Sequence, residues 1–211
     1  MLILCDFDGT ATALDSNVFL SERFAPNIFL EVERKLLEGE MTLRQVLTAE
    51  LGAMTDGHDA IVKAAVEGIP MRAGFDRFVR ESQARGDRFV LLSAGFRQVI
   101  EPMLAGWGIE SGLPLIANDV SFDERGGRIT WREQPVCVLC GEQCKRSEVD
   151  ELRAEEPGRS VIYIGDGFSD RCGAEAADRI FARDNLAAYL DAGGTPYTWF
   201  DDFHEIAEVL A

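Results

Sequence analysis

Two short apolar segments of this chain each run into an aspartate at their carboxyl end. Leu2–Cys5 is followed by Asp6, and residues 161–164 are followed, after one glycine, by Asp166. Continuous apolar runs of this length are typical of strands that are buried on both faces of a parallel sheet. Ligands of open α/β sheets bind beyond the carboxyl ends of such strands, so the two aspartates can converge. We therefore predict a doubly wound α/β fold with an acidic site at one edge of its sheet.

A second carboxylate follows each of these aspartates, Asp8 in one segment and Asp170 in the other. Carboxylates that are packed close together repel each other and resist ionisation, and a hard dication that prefers oxygen ligands relieves this repulsion. The pattern therefore predicts a Mg²⁺ site. The predicted metal residues are Asp6, Asp8, Asp166 and Asp170.

The composition indicates which size and which partners to expect. With 211 residues, 46% of them hydrophobic, the chain is long enough for one core domain and a smaller insertion. A formal net charge of −16 argues against a nucleic-acid partner, because binding to a phosphate backbone depends on Lys and Arg. No run approaches the roughly 20 apolar residues that span a bilayer, and a first strand at Leu2 leaves no room for a signal peptide. We therefore expect a cytoplasmic protein without a membrane partner.

The stretch between the first and second predicted strands is longer than a simple crossover requires. A strand is predicted at residues 89–92, with a helix over Phe75–Ala84 before it, and a parallel crossover needs only that one helix. Three more helices are predicted upstream, at residues 31–37, 43–51 with Thr42 as the cap, and 60–66. The predicted domains are therefore a core of residues 1–14 and 72–211 and an inserted helical cap of residues 15–71.

The second half of the chain continues the alternation of strands and helices. Alternating apolar residues around Gly126 and Gly127 predict a β-hairpin over residues 120–131, which turns at the two glycines and lies as a small flap beside the core. Ser147 is predicted to cap a helix that ends near Ala154. Further helices are predicted at residues 96–104, 169–177, 187–192 and 203–210, with short strands near Ile180 and Tyr197.

Four motif elements follow one another along the chain. They are DFDGT at residues 6–10, a strand-borne Ser93, Lys145, and GDGFSD at residues 165–170. In order, spacing and position of the cap, this set resembles the haloacid dehalogenase superfamily of phosphatases, over essentially the whole chain. The resemblance implies a Rossmann-like core with a helical cap, and a Mg²⁺-dependent phosphomonoesterase that acts on a small phosphorylated metabolite through an aspartyl-phosphate.

The resemblance also implies a role for each motif residue. Asp6 would be the nucleophile, and Asp8 would be the general acid and then the general base. Asp166 would bind Mg²⁺ together with Asp6 and the main-chain carbonyl of Asp8, and Asp170 would support this shell. The phosphate would be bound by Thr10, Ser93, Ala94, Gly95 and Lys145.

Longer segments narrow the resemblance further. CGEQCKRSEVDEL, YIGDGFSD, IFARDNL and FHEI are similar to the 2-hydroxy-3-keto-5-methylthiopentenyl-1-phosphate phosphatase family of methionine salvage, in a branch that includes phosphoserine phosphatase. Phosphoethanolamine and phosphocholine phosphatases share GDGxxD and a following cysteine, here Cys172. The methionine-salvage compound is thus the expected substrate, with the other three as alternatives. A catalytically retired domain that binds a phosphorylated ligand is an alternative of another class, although the intact Asp6 and Asp8 argue against it.

Three cysteines form a CxxCxxxC pattern directly before the motif lysine. They are Cys137, Cys140 and Cys144. This spacing is compatible with zinc binding by thiolates, but a structural zinc site usually has four protein ligands, and the sequence does not reveal a fourth. Free thiols packed beside Lys145, or a disulfide or redox switch, are the alternatives.

Overall fold

A mostly parallel, seven-stranded sheet forms the centre of the computed structural model, which describes residues 1–109 and 112–210. Its strands are β1 (Leu2–Cys5), β2 (Arg88–Phe96), β3 (Leu115–Asp123), β4 (Gly126–Thr130), β5 (Val161–Gly165), β6 (Arg179–Ala182) and β7 (Thr198–Trp199). The order in space is β4-β3-β2-β1-β5-β6-β7, and only β3 and β4 are antiparallel. The order reverses beside β1, so the predicted doubly wound fold is confirmed and the crevice lies at the ends of β1 and β5.

Four helices occupy the chain between β1 and the first crossover helix. They are α1 (Ser16–Phe24), α2 (Pro26–Leu37), α3 (Leu43–Gly52) and α4 (His58–Gly68). Asp15 caps α1 by accepting a hydrogen bond from the amide of Val18 at 3.0 Å. Thr42 and Gln45 form a reciprocal capping box at the start of α3. The three helices predicted in this region are confirmed, and each lies within one of the observed helices.

Helices cover both faces of the sheet. They are α5 (Phe75–Ala84), α6 (Arg97–Gly106), α7 (Arg146–Glu155), α8 (Arg171–Ala174), α9 (Asp184–Gly193) and α10 (Phe203–Leu210). Alternate residues of β1 belong to different apolar clusters, Ile3 to the one with α5, α6 and α10 and Leu4 to the one with α7 and α9. Both side chains are fully buried. Burial on both faces explains why β1 is apolar throughout.

The second strand is longer than predicted. β2 continues through Ser93, Ala94 and Gly95 to Phe96, whereas the predicted strand covers residues 89–92 and has these three residues at its end. The extension is possible because the register against β3 shifts between Leu92 and Phe96. Within the shift, the side-chain amide of Asn118 donates to the carbonyl of Ala94 at 2.7 Å.

The predicted hairpin exists, but two of its features are different. The chain reverses at residues 124–125, and Gly126 already pairs with Asp123 in β4. The hairpin is also an extension of the main sheet, because β3 is parallel to β2. Gly126 has a φ of +110°, and a Cβ there would overlap the carbonyl oxygen of Gly52 at the end of α3. The glycines therefore serve close packing against α3, which the turn prediction did not consider.

Two predictions near the second motif are also wrong in detail. α7 begins at Arg146, directly after Lys145, so Ser147 lies inside the first turn and is not the cap. The predicted helix over 169–177 is a short 3₁₀ turn over Phe168–Asp170 followed by the four-residue α8. The turn is tight because the side chain of Asp170 accepts the amides of its own loop. Within the described residues, no helix has both the length and the apolar character to cross a membrane.

Candidate active site

The loop after β1 brings its backbone against the loop after β5. The amide of Asp6 donates to the carbonyl of Ile164 at 2.8 Å, which ties the two strand ends together. Gly9 follows with a φ of +80°, and a Cβ at this position would overlap the carboxylate of Asp166. Only glycine adopts this conformation at low cost and leaves the space. The DFDGT sequence therefore has glycine where the two loops come closest.

Three carboxylates meet at this point, those of Asp6, Asp166 and Asp170. Each contributes an oxygen to a group whose members all lie within 4.8 Å of one another. Burial raises the pKa of Asp6 well above its usual range, although Lys145 opposes the rise. Burial and the neighbouring Asp170 raise the pKa of Asp166 to about 7. A cluster of oxygen donors that resists ionisation in this way fits a bound Mg²⁺, since the dication would favour the charged carboxylates.

Lys145 is the cation that the fold itself supplies. Its side chain is 1% exposed, and its ammonium group donates to Asp6 and, at 2.7 Å, to Asp170. Burial alone would lower the pKa of Lys145, but Asp170 and Asp6 raise it overall, so the side chain is protonated. The sequence placed Lys145 beside Asp6, and the two side chains are in contact.

Asp170 holds this lysine and its own loop in place. One carboxylate oxygen accepts from Lys145 and from the Tyr163 hydroxyl at 2.7 Å, and the other accepts from the amides of Gly167 at 2.8 Å and Asp166 at 3.1 Å. With both oxygens engaged, Asp170 is better suited to position Lys145 than to bind a metal directly. Tyr163 was not identified from the sequence, although a tyrosine in a buried strand needs a partner for its hydroxyl.

Asp8 has a different environment from Asp6. One of its carboxylate oxygens accepts from the hydroxyl of Ser16, and the other accepts from Ser93 at 2.9 Å. The Ser93 hydroxyl also accepts the amide of Gly95 at 2.8 Å. Burial raises the pKa of Asp8, and the two serine hydroxyls partly oppose the rise. Ser93 therefore holds the side chain of Asp8, and its predicted contact with a phosphate stays a prediction.

Thr10 and Arg72 hold the loop that follows β1 in place. The Thr10 hydroxyl donates to Asp166 at 2.6 Å, so it orients this carboxylate, and the phosphate contact predicted for it stays a prediction. Arg72 donates to the carbonyls of Thr10 at 2.7 Å, Gly9 at 2.6 Å and Thr12 at 3.1 Å. No local pattern distinguishes Arg72 in the sequence, because its partners lie about sixty residues away.

The carboxylates open into a cavity of about 180 Å³ beneath α1–α3. Ala94 and Gly95 line it beside Asp6 and Asp8. Its roof carries three further acids, Asp15, Glu33 and Glu50. A second, larger cavity of about 440 Å³ shares several wall residues with the first and is lined by apolar side chains together with Arg44, Arg132, Lys145 and Arg171. Its apolar and aromatic walls include Leu36, Leu43, Trp131, Leu139, Phe168 and Tyr189.

The three cysteines of the CxxCxxxC pattern also come together. Cys137, Cys140 and Cys144 lie beside the larger cavity, and Cys172 from α8 joins them. The sequence did not single out Cys172 as their partner, because it is 28 residues beyond Cys144 and belongs to the loop after β5.

Comparison with known proteins agrees with this geometry. Residues 3–175 match the family model of the haloacid dehalogenase-like hydrolases. Two proteins named 2-hydroxy-3-keto-5-methylthiopentenyl-1-phosphate phosphatase, from Bacillus thuringiensis (strain Al Hakam) and Bacillus anthracis (strain CDC 684 / NRRL 3495), are each 28% identical over 210 residues. The alignments cover 99% of this chain and 94% of each relative.

The fold is also similar to solved structures. A phospho-aspartyl intermediate analogue of phosphoserine phosphatase matches with a TM-score of 0.74 and 18% identity, over 99% of this chain and 97% of that chain. A substrate-bound phosphoserine phosphatase complex matches with a TM-score of 0.72 and 19% identity, over the same shares of the two chains. At this level of identity the likeness establishes the common fold.

Proposed function

Because the chain belongs to the haloacid dehalogenase-like hydrolases and is a phosphatase of that family, we propose that it hydrolyses a small phosphomonoester with Mg²⁺ through a phosphorylated Asp6. One observation carries this proposal. Asp6 contacts the protonated Lys145 and lies with Asp166 at the wall of a cavity that Asp8 also lines. A domain that only binds a phosphorylated ligand would need a cation such as Lys145. It would not need a second carboxyl group like that of Asp8, which two serines hold in place.

The proposed reaction has two displacements at phosphorus. A carboxylate oxygen of Asp6 attacks, the ester P–O bond breaks, and the leaving oxygen takes a proton from Asp8. Burial raises the pKa of Asp8, which helps it to hold that proton. Asp8 then takes a proton from water, the water oxygen attacks the aspartyl-phosphate, and inorganic phosphate leaves with Asp6 restored. Lys145 stabilises the negative charge on Asp6 and on the transferred phosphoryl group in both steps.

Mg²⁺ would be held by Asp6, Asp166 and the main-chain carbonyl of Asp8. When bound, it would neutralise charge on the carboxylates and on the phosphoryl oxygens. Thr10 fixes the orientation of Asp166 for this purpose. Asp170 would not bind the ion directly. It would support the site by holding Lys145 and the loop amides.

We further propose that residues 15–71 act as a cap over a core of residues 1–14 and 72–211. The hydroxyl of Ser16, the first residue of α1, binds the carboxylate of Asp8. A movement of α1 would therefore change the surroundings of the acid and base directly. Such a cap would exclude bulk water while the aspartyl-phosphate exists.

The first candidate substrate is 2-hydroxy-3-keto-5-methylthiopentenyl-1-phosphate. The similarity to the Bacillus proteins named for this compound extends over 99% of the chain. The apolar cavity of about 440 Å³ beside the carboxylates would suit an uncharged thioether chain. Trp131, Leu139 and Phe168 would supply the apolar contacts.

The acidic roof favours a second candidate, a phosphate ester that carries an ammonium group. Burial raises the pKa of Asp15 to about 6 and that of Glu50 to about 7, and both line the smaller cavity with Glu33. A cation would favour their charged forms. Among the described residues that line this cavity there is no Lys or Arg to meet a substrate carboxylate. The roof therefore favours phosphoethanolamine or phosphocholine over phosphoserine.

Phosphate release from a panel of esters tests the proposal. The panel contains the methionine-salvage compound, phosphoserine, phosphocholine, phosphoethanolamine and a generic aryl phosphate, each with and without added Mg²⁺. Asp6→Asn serves as the blank for a contaminating phosphatase. A preference for the methionine-salvage ester, whose side chain is an uncharged thioether, would support the first candidate. A preference for an ester with an amine would support the second candidate, provided that Glu50→Gln loses this preference. If folded protein with Mg²⁺ releases no phosphate from any ester, the alternative of a retired ligand-binding domain replaces the proposal.

A further inference from the structure

Four of the five cysteines form one cluster, which we call the cysteine cluster. Its members are Cys137, Cys140, Cys144 and Cys172, and their sulfur atoms all lie within 4.8 Å of one another. Three come from the segment between β4 and α7, and the fourth comes from α8. Cys5 is buried in β1 and does not belong to the cluster.

The spacing of these sulfurs fits a tetrahedral metal ion. Zinc binds cysteine sulfur at about 2.3 Å, which places the sulfurs of a tetrahedral site roughly 3.8 Å apart. Four sulfurs that all lie within 4.8 Å of one another are close to this spacing. A set of four thiolates favours zinc over Mg²⁺ or Ca²⁺, which prefer oxygen ligands.

The segment that carries the first three cysteines has little apolar packing of its own. Residues 131–144 contain no helix or strand. The side chains of Val136, Val138 and Leu139 are 62%, 97% and 62% exposed. Local hydrogen bonds bend the chain, with the amide of Gly141 donating to the carbonyl of Cys137 at 2.9 Å. Where burial cannot order a segment, a structural metal supplies the missing stabilisation.

We propose that the cysteine cluster binds one structural Zn²⁺ through all four thiolates. Four protein ligands leave no open position, so this zinc does not act on substrate. It joins the two chain segments that deliver the active-site ion pair. Cys144 directly precedes Lys145, and Cys172 lies two residues after Asp170. The zinc therefore fixes the position of Lys145 relative to Asp170 from outside the site.

Metal analysis of the purified protein tests the site without any assay of turnover. Elemental analysis should find about one zinc per chain. Treatment of the native protein with an organomercurial should release that zinc into a colorimetric indicator as four thiols react, while Cys5 stays protected by burial. Folded wild-type protein that contains no zinc and takes up none from added Zn²⁺ would overturn the proposal.

Variants test which cysteines are ligands. Cys137→Ser and Cys172→Ser should each lose zinc, whereas the matched control Cys5→Ala should retain it. Co²⁺ exchanged into the wild type should give the absorption of a tetrahedral tetrathiolate site. Full zinc content and an unchanged affinity in Cys172→Ser would exclude the fourth ligand. The wild-type measurements decide the question even if a variant does not fold.

Removal of the zinc tests its structural role. Zinc-depleted protein should melt at a lower temperature than the native protein, and Zn²⁺, but not Mg²⁺, should restore the melting temperature. An unchanged melting temperature after complete removal would contradict a structural zinc. The zinc content and the melting temperature do not depend on the proposed phosphatase reaction, so either proposal can fail while the other holds.

Discussion

Asp6 and Asp8 are separated by one residue and have different surroundings. Asp6 contacts the protonated Lys145, whereas Asp8 contacts two neutral hydroxyls, those of Ser16 and Ser93. Burial raises the pKa of both carboxyl groups, and the rise is opposed at Asp6 by the Lys145 cation and at Asp8 by the two serine hydroxyls. In the proposed reaction, the cation would favour the charged form of Asp6 for attack, and the neutral surroundings of Asp8 would let it hold and release a proton.

We expect Asp6→Asn to abolish phosphate release while the fold is kept. An amide is isosteric with the carboxylate, but it does not form the aspartyl-phosphate. The measurement is single-turnover phosphate release, with circular dichroism to confirm folding. Normal turnover by this variant would rule out the covalent route through Asp6.

We expect Asp8→Asn to lower kcat by roughly 10² to 10⁴, because general acid catalysis contributes about this much. The loss should be larger for alkyl phosphates than for an aryl phosphate, whose leaving group needs no proton. Ser93→Ala, which removes one contact to Asp8 but leaves its carboxyl group, is the matched comparison. Equal losses on both ester types would argue against proton donation by Asp8.

We expect Lys145→Met to destabilise the fold by about 3–5 kcal/mol in the absence of added metal. The substitution leaves Asp6 and Asp170 buried without their shared cation, and breaking a buried pair costs about this much. Urea unfolding measures the loss. Lys63→Met, at an exposed ion pair on α4, is the control and should change stability by less than about 1 kcal/mol. Similar losses of stability in the two variants would mean that the burial of the Lys145 ion pairs does not increase the cost of breaking them.

At the scale of elements, α3 joins the sheet through a close backbone contact. The hairpin of β3 and β4 packs on the end of α3, where Gly126 and Gly52 are in close contact. The sequence predicted both the hairpin and α3, since each depends on a short periodic pattern. It placed the turn at the glycines because Gly-Gly is a turn signal, and the contact with α3 that requires glycine is not local.

We expect Gly126→Ala to cost about 1–3 kcal/mol more than Gly108→Ala, as measured by urea unfolding. Both glycines have positive φ, so both variants pay a conformational cost of about 1–2 kcal/mol. A Cβ at residue 126 would in addition overlap the Gly52 carbonyl, whereas one at residue 108 would meet nothing within 4 Å. Equal destabilisation would show that the hairpin moves away from α3 at no cost.

At the scale of the whole molecule, acidity is concentrated around the cavity. The chain has a net charge of −16, and the cavity walls collect Asp6, Asp8 and Asp166 below and Asp15, Glu33 and Glu50 above. Their mutual repulsion and burial favour protonation in the free protein. A bound cation would reverse this preference, so metal or substrate binding should stabilise the folded protein.

We expect Glu50→Gln to become more stable relative to the wild type as the pH rises from about 4.3 to about 7. Burial raises the folded-state pKa of Glu50 to about 7, above the unfolded value of about 4.3. The native wild type therefore binds the proton more tightly, and its free energy of unfolding falls as pH rises through this window. Above the window the difference should be constant.

The measurement is urea unfolding of both proteins at several pH values, with Glu67→Gln at an exposed site of α4 as the control. A stability difference for Glu50→Gln that follows the same pH course as that of the control would contradict the assigned burial effect.

The sequence by itself determined the parts of this protein whose signals are local. The continuous apolar β1 and β5, the helix cap at Thr42 and the ordered motifs from Asp6 to Asp170 each depend on a few neighbouring residues. They were sufficient for the fold class, the family and the place of the acidic site. Such local requirements arise from side-chain periodicity and from backbone conformation. They are therefore visible in the sequence as patterns and motifs.

Only the tertiary structure decided which distant side chains meet. The sequence did not predict the contacts of Ser93 with Asp8, Thr10 with Asp166, Arg72 with the loop after β1, or Cys172 with the other cysteines. Each of these contacts joins segments that are close only after the sheet and its helices have packed. No window of sequence contains both partners in a recognisable pattern, so the choice of partner belongs to the packing of the whole chain.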